Sequence, residues 1–307
     1  MPSSRRLLPV LPPAIQGPLW MSLAAIAFGL MIVLVRYLTA VFDPLEVVFF
    51  RSFFGLVAML PWLLGKGLVV LHTQRIWLHV LRALVAIVAM TMWFTTLALL
   101  PLAEATALSF VAPVFTSVLA VIVLGEIMRV RRWTATVIGF AGALLIVRPG
   151  FETVQPAALL ALATALVWGT GSVVVKVLAR TESPATVVTW FGLFVTPLAL
   201  VPALFVWQTP TLEQLGWLAL LGLSGSVGHV CVARALAIAD ASLIAPFDYL
   251  RLPVVALIGY LAFDEVPDVW VWLGGGVIAA SSLYIAHREA RTKQTEAAVP
   301  ATPAAGS

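Results

Sequence analysis

Ten long apolar segments run through most of this 307-residue chain and limit what it can fold into. A helix needs about 20 apolar residues to cross the hydrocarbon core of a bilayer. The segments are continuous rather than alternating in polarity, which excludes a transmembrane barrel. Hydrophobic residues make up 62% of the chain and charged residues 10%, too few charges to cover a soluble protein of this size. The sequence therefore predicts an all-α integral membrane protein with ten transmembrane helices, at about 18–38, 45–64, 76–99, 102–124, 132–148, 156–178, 185–207, 214–237, 241–263 and 268–286.

The distribution of basic residues predicts the orientation of these helices. With a cytoplasmic N-terminus, 13 of the 18 Lys and Arg residues fall in cytoplasmic segments, and only Arg36 and Arg148 fall outside. Arg51, Arg82 and Arg251 remain within the bilayer. Because the number of helices is even, both termini are expected in the cytoplasm, and the predicted location is a bacterial inner membrane.

Four short motifs recur in the same order at a shift of about 140 residues. The first motif is Phe28-Gly29 with Arg36, matched by Trp168-Gly169 with Lys176, and the second is Ala103-Glu104-Ala105, matched by Ala239-Asp240-Ala241. The third is Leu124-Gly125-Glu126, matched by Phe263-Asp264-Glu265, and the fourth is Trp133 with Gly139, matched by Trp270 with Gly276. Each half contains five helices, so the second half is inserted with the opposite topology, an arrangement typical of carriers that work by alternating access. The predicted organisation is a cytoplasmic tail over 1–17, repeats over 18–150 and 151–287, and a disordered cytoplasmic tail over 288–307.

Residues 46–51, 100–113, 124–126 and 139–150 resemble the drug/metabolite transporter superfamily, specifically its ten-helix EamA-type members. The resemblance implies a basket-like arrangement of the two inverted repeats around a central cavity and secondary transport without a cofactor. Similar proteins move amino acids, nucleoside-like or sulfonium metabolites and vitamins, in either direction. The second half departs from the first at Asp264, where the first half has Gly125, and at Phe191, where it has Arg51.

Charged residues in the bilayer are costly, so they are the first candidates for a substrate site. Asp248 and Arg251 lie three residues apart in helix 9, hence on one face, with Pro246 and Pro253 on either side. This pair either holds a charged substrate group, with Asp248 able to take a proton, or is an internal ion pair that supports the fold. The sequence favours the first interpretation.

Other candidates lie on helices 3, 6 and 8. The predicted cavity residues are Arg82, Trp93, Trp168, His229, Asp248 and Arg251, and those considered for proton coupling or gating are Asp248, His229 and Glu104. Glu104 and Asp240 begin equivalent helices, so capping of the helix N-terminus is the first explanation for both.

Structural roles are expected for several remaining polar residues. Arg51 is expected near the external surface, either reaching for it or paired imperfectly with Glu46. His79 is interpreted as an interfacial histidine with its hydrogen bonds satisfied, and Glu265 and Asp268 as residues of solvated loops.

An enzyme is the main competing class. Gly222-Leu223-Ser224-Gly225 is a string found in intramembrane proteases, but His229 lies five residues further along the same helix and cannot act as base for Ser224. The chain also lacks a phosphate-binding loop motif for direct coupling to ATP. A channel or receptor remains an alternative.

The mixture of arginine, aspartate, histidine and aromatic side chains favours a small amphiphilic metabolite of the amino-acid kind. A facilitator, an exchanger or an importer of a nucleoside-like, sulfonium or vitamin metabolite is the alternative. Cys231 is the only cysteine, so no disulfide or cysteine metal site is expected. The expected partners are a small-molecule substrate and the lipid bilayer, with no cofactor, metal or nucleic acid, and the protein is expected to be a monomer or homodimer.

Overall fold

The fold consists of helices joined by short connections. A computed structural model describes residues 13–67, 71–125, 130–148, 155–238, 244 and 247–298. Within these ranges the chain forms helices α1 Pro13–Thr39, α2 Pro44–Lys66, α3 Ile76–Leu99, α4 Leu102–Ser109, α5 Ala112–Leu124, α6 Val130–Val147, α7 Pro156–Leu178, α8 Pro184–Ala203, α9 Leu212–Ile238, α10 Arg251–Phe263 and α11 Val269–Ala298, and no strand.

The predicted all-α membrane architecture is confirmed. Seven segments are long and apolar enough to cross a membrane, with α4 and α5 together forming one of them over residues 102–124. Three shorter apolar helices lie at 136–147, 251–263 and 269–281. Helix α11 continues to Ala298, so the tail predicted to be disordered from residue 288 is helical over its first part.

Corresponding helix breaks support the internal repeat. Two non-helical residues, Phe110 and Val111, precede α5, and Tyr249 and Leu250 precede α10. Helices α5 and α10 both contain 13 residues and end at a residue in the left-handed conformation, Gly125 with φ 66° and Asp264 with φ 54°. The Asp264 substitution noted in the sequence thus retains the backbone geometry of its glycine counterpart.

We expect Asp264→Gly to stabilise the protein by about 0.5–1 kcal/mol, because glycine adopts the left-handed conformation without the clash that a Cβ introduces. Asp264 is exposed and makes no recorded side-chain hydrogen bond within the described residues, so little is lost on removing its side chain. The melting temperature in detergent measures the effect. Gly125→Asp is the reciprocal variant and should lower it, and a decrease for Asp264→Gly would contradict this account.

Helices of the first half pack against helices of the second half. Helix α1 packs on α9, α6 on α11, and α3 on α7, so the two repeats interlock. Glycines make several of these contacts possible: a Cβ on Gly222 of α9 would lie 2.5 Å from Cβ of Phe54 in α2. Such close approach is how helices associate in lipid, where apolar burial gives little driving force. The packing places the two helix breaks beside each other at the centre.

Candidate functional site

The break before α10 holds an ion pair. Nη2 of Arg251 lies 3.3 Å from Oδ2 of Asp248, and the pair spans the two residues that leave the helix. The Arg251 guanidinium lies over the rings of Phe110, at 5.1 Å, and Phe28, at 5.9 Å. Its Nε is buried and has no hydrogen-bond partner within the described residues. An arginine with an unused donor between two rings is suited to bind an acceptor group of a planar molecule.

The two breaks meet through aromatic rings. Phe110, from the break between α4 and α5, contacts Tyr249 edge to face at 4.7 Å between ring centroids. Each half of the chain therefore contributes one ring to the centre of the molecule.

His229 extends this site along α9. Its Nε2 lies 3.2 Å from Nη2 of Arg51, and its ring contacts Phe28 edge to face at 5.2 Å. Although His229 is exposed, helices α1 and α2 supply these two contacts, so the ring borders a space between α1, α2 and α9. Because Phe28 touches both His229 and Arg251, these groups belong to one site.

Arg51 is the site residue that the sequence does not indicate. The pairing considered with Glu46 is wrong: Glu46 accepts a hydrogen bond from the backbone N–H of Gln208 at 3.2 Å and is fully buried. Arg51 instead reaches across the Gly225 face of α9 toward His229. The small Gly225 leaves room for that path, because a Cβ there would lie 3.2 Å from Nη2 of Arg51. The two residues are 174 positions apart in the sequence.

Arg82 adds a further positive charge. Its Nη1 donates to the backbone carbonyl of Val187 at 2.6 Å, and its guanidinium lies 4.3 Å from the ring centroid of Phe191. Phe191 occupies the position in the second half that Arg51 occupies in the first. Arg82 lies three helical turns before Trp93 on the same face of α3, the face that meets Trp168 of the second half. The sequence indicates that Arg51 and Arg82 are charged residues within the bilayer, but which residues they contact depends on how the helices pack.

Trp93 and Trp168 form a second aromatic contact between the halves. Their ring centroids are 5.2 Å apart with the planes inclined at 53°. Trp93 is buried and Trp168 is half-buried. Because Trp168 is only half-buried, the two indoles can separate to admit a flat ring, and this costs the energy of the pair, about 0.5–1.5 kcal/mol.

Glu104 is placed away from this centre. It lines a small surface pocket with Arg148, Gln155 and Asp268, close to the predicted external ends of α6 and α7. The first N–H group of α4, that of Leu102, donates to Oε2 of Glu265 at 2.6 Å, so Glu265 caps this helix. Asp240, its counterpart in the repeat, lies outside the described residues.

The interpretation of Glu265 as a solvated loop residue is wrong. Its Oε1 lies 3.2 Å from Nη2 of Arg36, whose Nη1 donates to the carbonyl of Leu97 at 2.7 Å. One carboxylate therefore connects the ends of α1 and α3 to the start of α4 and to the segment after α10. The sequence shows only that Glu265 is equivalent to Glu126 in the repeat. This equivalence indicates where Glu265 lies along the chain, but it does not indicate that Arg36 is its partner.

The histidine and serine assignments also differ from expectation. His79 is fully buried beside Trp190, at 6.2 Å between ring centroids, and neither ring nitrogen has a partner within the described residues. The expectation that its hydrogen bonds are satisfied is therefore wrong. Ser224 donates to the carbonyl of Leu221 at 2.8 Å, while His229 contacts Arg51. A Ser224–His229 pair for nucleophilic chemistry is not formed.

Two interlocked helical repeats with charged and aromatic side chains at two central helix breaks define a membrane carrier of the inverted-repeat class. A family model provides the particular assignment. Residues 15–148 and 155–286 each match the EamA-like transporter family. The chain belongs to this family, as the sequence resemblance predicted.

Several relatives align over almost the whole chain. A riboflavin transporter of Rhizobium johnstonii is 36% identical over 92% of this chain and 95% of its own length. A riboflavin transporter of Vibrio cholerae is 33% identical, with coverage of 92% and 96%. An S-adenosylmethionine uptake transporter of Rickettsia prowazekii is 31% identical, also with coverage of 92% and 96%.

A solved structure shares the fold. It superimposes with a TM-score of 0.61 at 21% identity and covers 89% of this chain and 98% of the other. The family match and the relatives confirm a multi-pass membrane transporter of small molecules. The relatives described here are named for riboflavin and S-adenosylmethionine, and none of these three is named for an amino acid.

Proposed function

We propose that this protein transports riboflavin, or a closely similar planar heterocycle, across a bacterial inner membrane. The observation that carries the proposal is the pair of aromatic contacts between the two repeats, Trp93 with Trp168 and Phe110 with Tyr249. Phe110 also lies against the guanidinium of Arg251, whose Nε has no hydrogen-bond partner within the described residues. The isoalloxazine ring is flat, apolar along one edge and rich in carbonyl and ring-nitrogen acceptors along the other. Stacking between rings and donation from Arg251 match both properties. The two similar riboflavin transporters support the same substrate.

The proposed mechanism is alternating access around this central site, with both termini cytoplasmic. The two repeats rock about the contacts at the helix breaks, where the backbone already departs from regular helix. The ion pair of Arg36 and Glu265 closes the external side, because it ties together helices that must separate for the site to open outward. Asp248, His229 and Glu104 remain the candidates for proton coupling or gating.

Uptake into liposomes tests the substrate. We expect the purified protein, reconstituted in riboflavin-loaded liposomes, to exchange labelled riboflavin with saturable kinetics. The initial rate should be at least tenfold above that of loaded liposomes without protein. Trp168→Ala should raise the half-saturating concentration about tenfold, because stacking a flat heterocycle on an aromatic side chain contributes about 1–3 kcal/mol. Trp168→Phe should retain most of the activity.

Trp217→Ala serves as the matched control. This tryptophan is 38% exposed near the start of α9, where it contacts Tyr37 rather than the central site. Its replacement should leave riboflavin exchange within about twofold of the unaltered protein. Folded protein that exchanges no riboflavin, or a Trp168→Ala variant that matches Trp217→Ala, would contradict the proposal.

S-adenosylmethionine is the second candidate. It contains a flat adenine ring that the same aromatic contacts can accept, and Asp248 is a carboxylate able to pair with its sulfonium or amino group. The Rickettsia relative supports it. Labelled S-adenosylmethionine in the same exchange assay separates the two candidates.

A further inference from the structure

The charges around the central site are unbalanced. The guanidinium groups of Arg51 and Arg251 lie at this site, and that of Arg82 lies on the face of α3 that also carries Trp93. Within the described residues, Asp248 is the one carboxylate in contact with any of the three. Asp248 is already paired with Arg251 at 3.3 Å. The site therefore has excess positive charge whether His229 is neutral or protonated.

Arg51 and Arg82 lack a carboxylate partner within the described part of the chain. Arg51 contacts the His229 ring, and Arg82 contacts a backbone carbonyl and the face of Phe191. Neither neutralises a guanidinium. Such charges in a membrane interior require either a counter-charge or water. The exposed ring of His229 beside Arg51 leaves room for water next to that guanidinium.

A positive site of this kind discriminates by charge. Coulomb energies between groups several ångströms apart are large where protein and lipid lower the effective dielectric constant. A cation entering the site is repelled by two uncompensated guanidinium groups, whereas an anion or a neutral group rich in acceptors is attracted. Repulsion of the wrong ligand is a recognised basis of specificity.

We propose that Arg51 and Arg82 are charge-selecting residues, which make the central site accept neutral and anionic planar substrates and exclude cationic ones. The inference rests on the proposed function and narrows it. Riboflavin is uncharged at neutral pH and is admitted. S-adenosylmethionine carries a permanently positive sulfonium group and is excluded, although related proteins bear its name.

Matched flavin analogues test this selection. Two probes share the isoalloxazine ring and differ in the N10 substituent, which is a carboxyalkyl chain in one and an aminoalkyl chain of equal length in the other. Inhibition of labelled riboflavin exchange gives an IC50 for each. We expect the carboxyalkyl flavin to inhibit at an IC50 at least tenfold lower than that of the aminoalkyl flavin.

Substitutions at the two arginines test whether they are the residues that select the charge of the substrate. In Arg51→Gln and Arg82→Gln, which keep an amide donor but remove the charge, the ratio of the two IC50 values should fall to about threefold or less. Arg51→Lys should preserve it. Arg234→Gln is the matched control on α9, because Arg234 is exposed and lies over Trp20, 4.9 Å from its ring centroid, away from the central contacts. Its ratio should be unchanged.

A second measurement tests the charge selection independently of whether riboflavin is the substrate. Thermal stabilisation in detergent by indole-3-acetate and by tryptamine compares an aromatic anion with an aromatic cation of similar size. If flavins fail to bind and the anion still stabilises better, the proposed substrate is wrong and the charge selection holds. Equal responses to anion and cation in both assays, or ratios unaltered in Arg51→Gln and Arg82→Gln, would overturn the charge selection.

Discussion

Glu265→Gln is expected to reduce transport at least tenfold while leaving the folded protein intact. The substitution removes one negative charge next to Arg36, whose side chain is 26% exposed and otherwise bonds to the carbonyls of Leu97 and Leu100. The amide oxygen of glutamine can still accept the N–H of Leu102. The loss is therefore that of a partly buried ion pair, about 2 kcal/mol, between the values for exposed and buried pairs.

This loss acts on the conformational equilibrium. If the pair closes the external side, weakening it by about 2 kcal/mol shifts the population toward the outward-open state by about 30-fold. A cysteine at Ser109, which is buried next to the central break, should then react faster with an external, membrane-impermeant maleimide. The native Cys231 is replaced by serine in this background.

The control is the ion pair of Arg148 and Asp268, which lies near the same predicted end of the molecule. Its atoms are 2.8 Å apart, but the Asp268 side chain is 43% exposed. An exposed pair contributes at most about 1 kcal/mol, so Asp268→Asn should change transport and labelling less than about threefold. Arg36→Gln breaks the same ion pair from its other side and should also increase the maleimide labelling. Equal effects of Glu265→Gln and Asp268→Asn would refute a specific external closure.

Gly274→Ala is expected to destabilise the protein by about 2–3 kcal/mol. A Cβ at Gly274 in α11 would lie 2.5 Å from the backbone oxygen of Gly142 in α6 and would also meet Ile146. A backbone oxygen cannot move without displacing its helix, so the two helices must separate. Overpacking of this kind costs about 1–3 kcal/mol. Because close van der Waals packing is a main force that holds helices together in lipid, separating α6 and α11 removes part of what stabilises their association.

Gly276→Ala, two residues further along the same helix, is the matched control. A Cβ there meets no atom within 4 Å. Alanine favours a helix over glycine by up to about 1 kcal/mol, so this variant should be neutral or slightly stabilised. Melting temperatures in detergent and the yield of monodisperse protein measure both variants. Similar melting temperatures for the two would show that the contact between α6 and α11 does not govern stability.

Much of the architecture can be predicted from residue patterns. The apolar segments define the ten spans because, in lipid, the backbone must satisfy its own hydrogen bonds, which leaves the helix as the solution for continuous apolar runs. The repeated motifs indicate the two halves, and the resemblance carried by 46–51, 100–113, 124–126 and 139–150 gives the family that the model match confirms. Asp248 and Arg251 could be paired in advance, because three residues along a helix bring two side chains together.

The partners of the other charged residues depend on packing between distant helices. Helical periodicity indicates which face a side chain occupies, but not which helix lies opposite that face. Arg51 was expected to reach for the external surface or to pair imperfectly with Glu46, and it instead contacts His229 across the Gly225 face of α9. Glu265 looked like a loop residue and instead joins Arg36 to the N-terminus of α4, since the fold brings segments 229 positions apart into contact. Spans and repeats follow from local polarity and backbone hydrogen bonding, whereas the central site requires the tertiary contacts that place two inverted halves face to face.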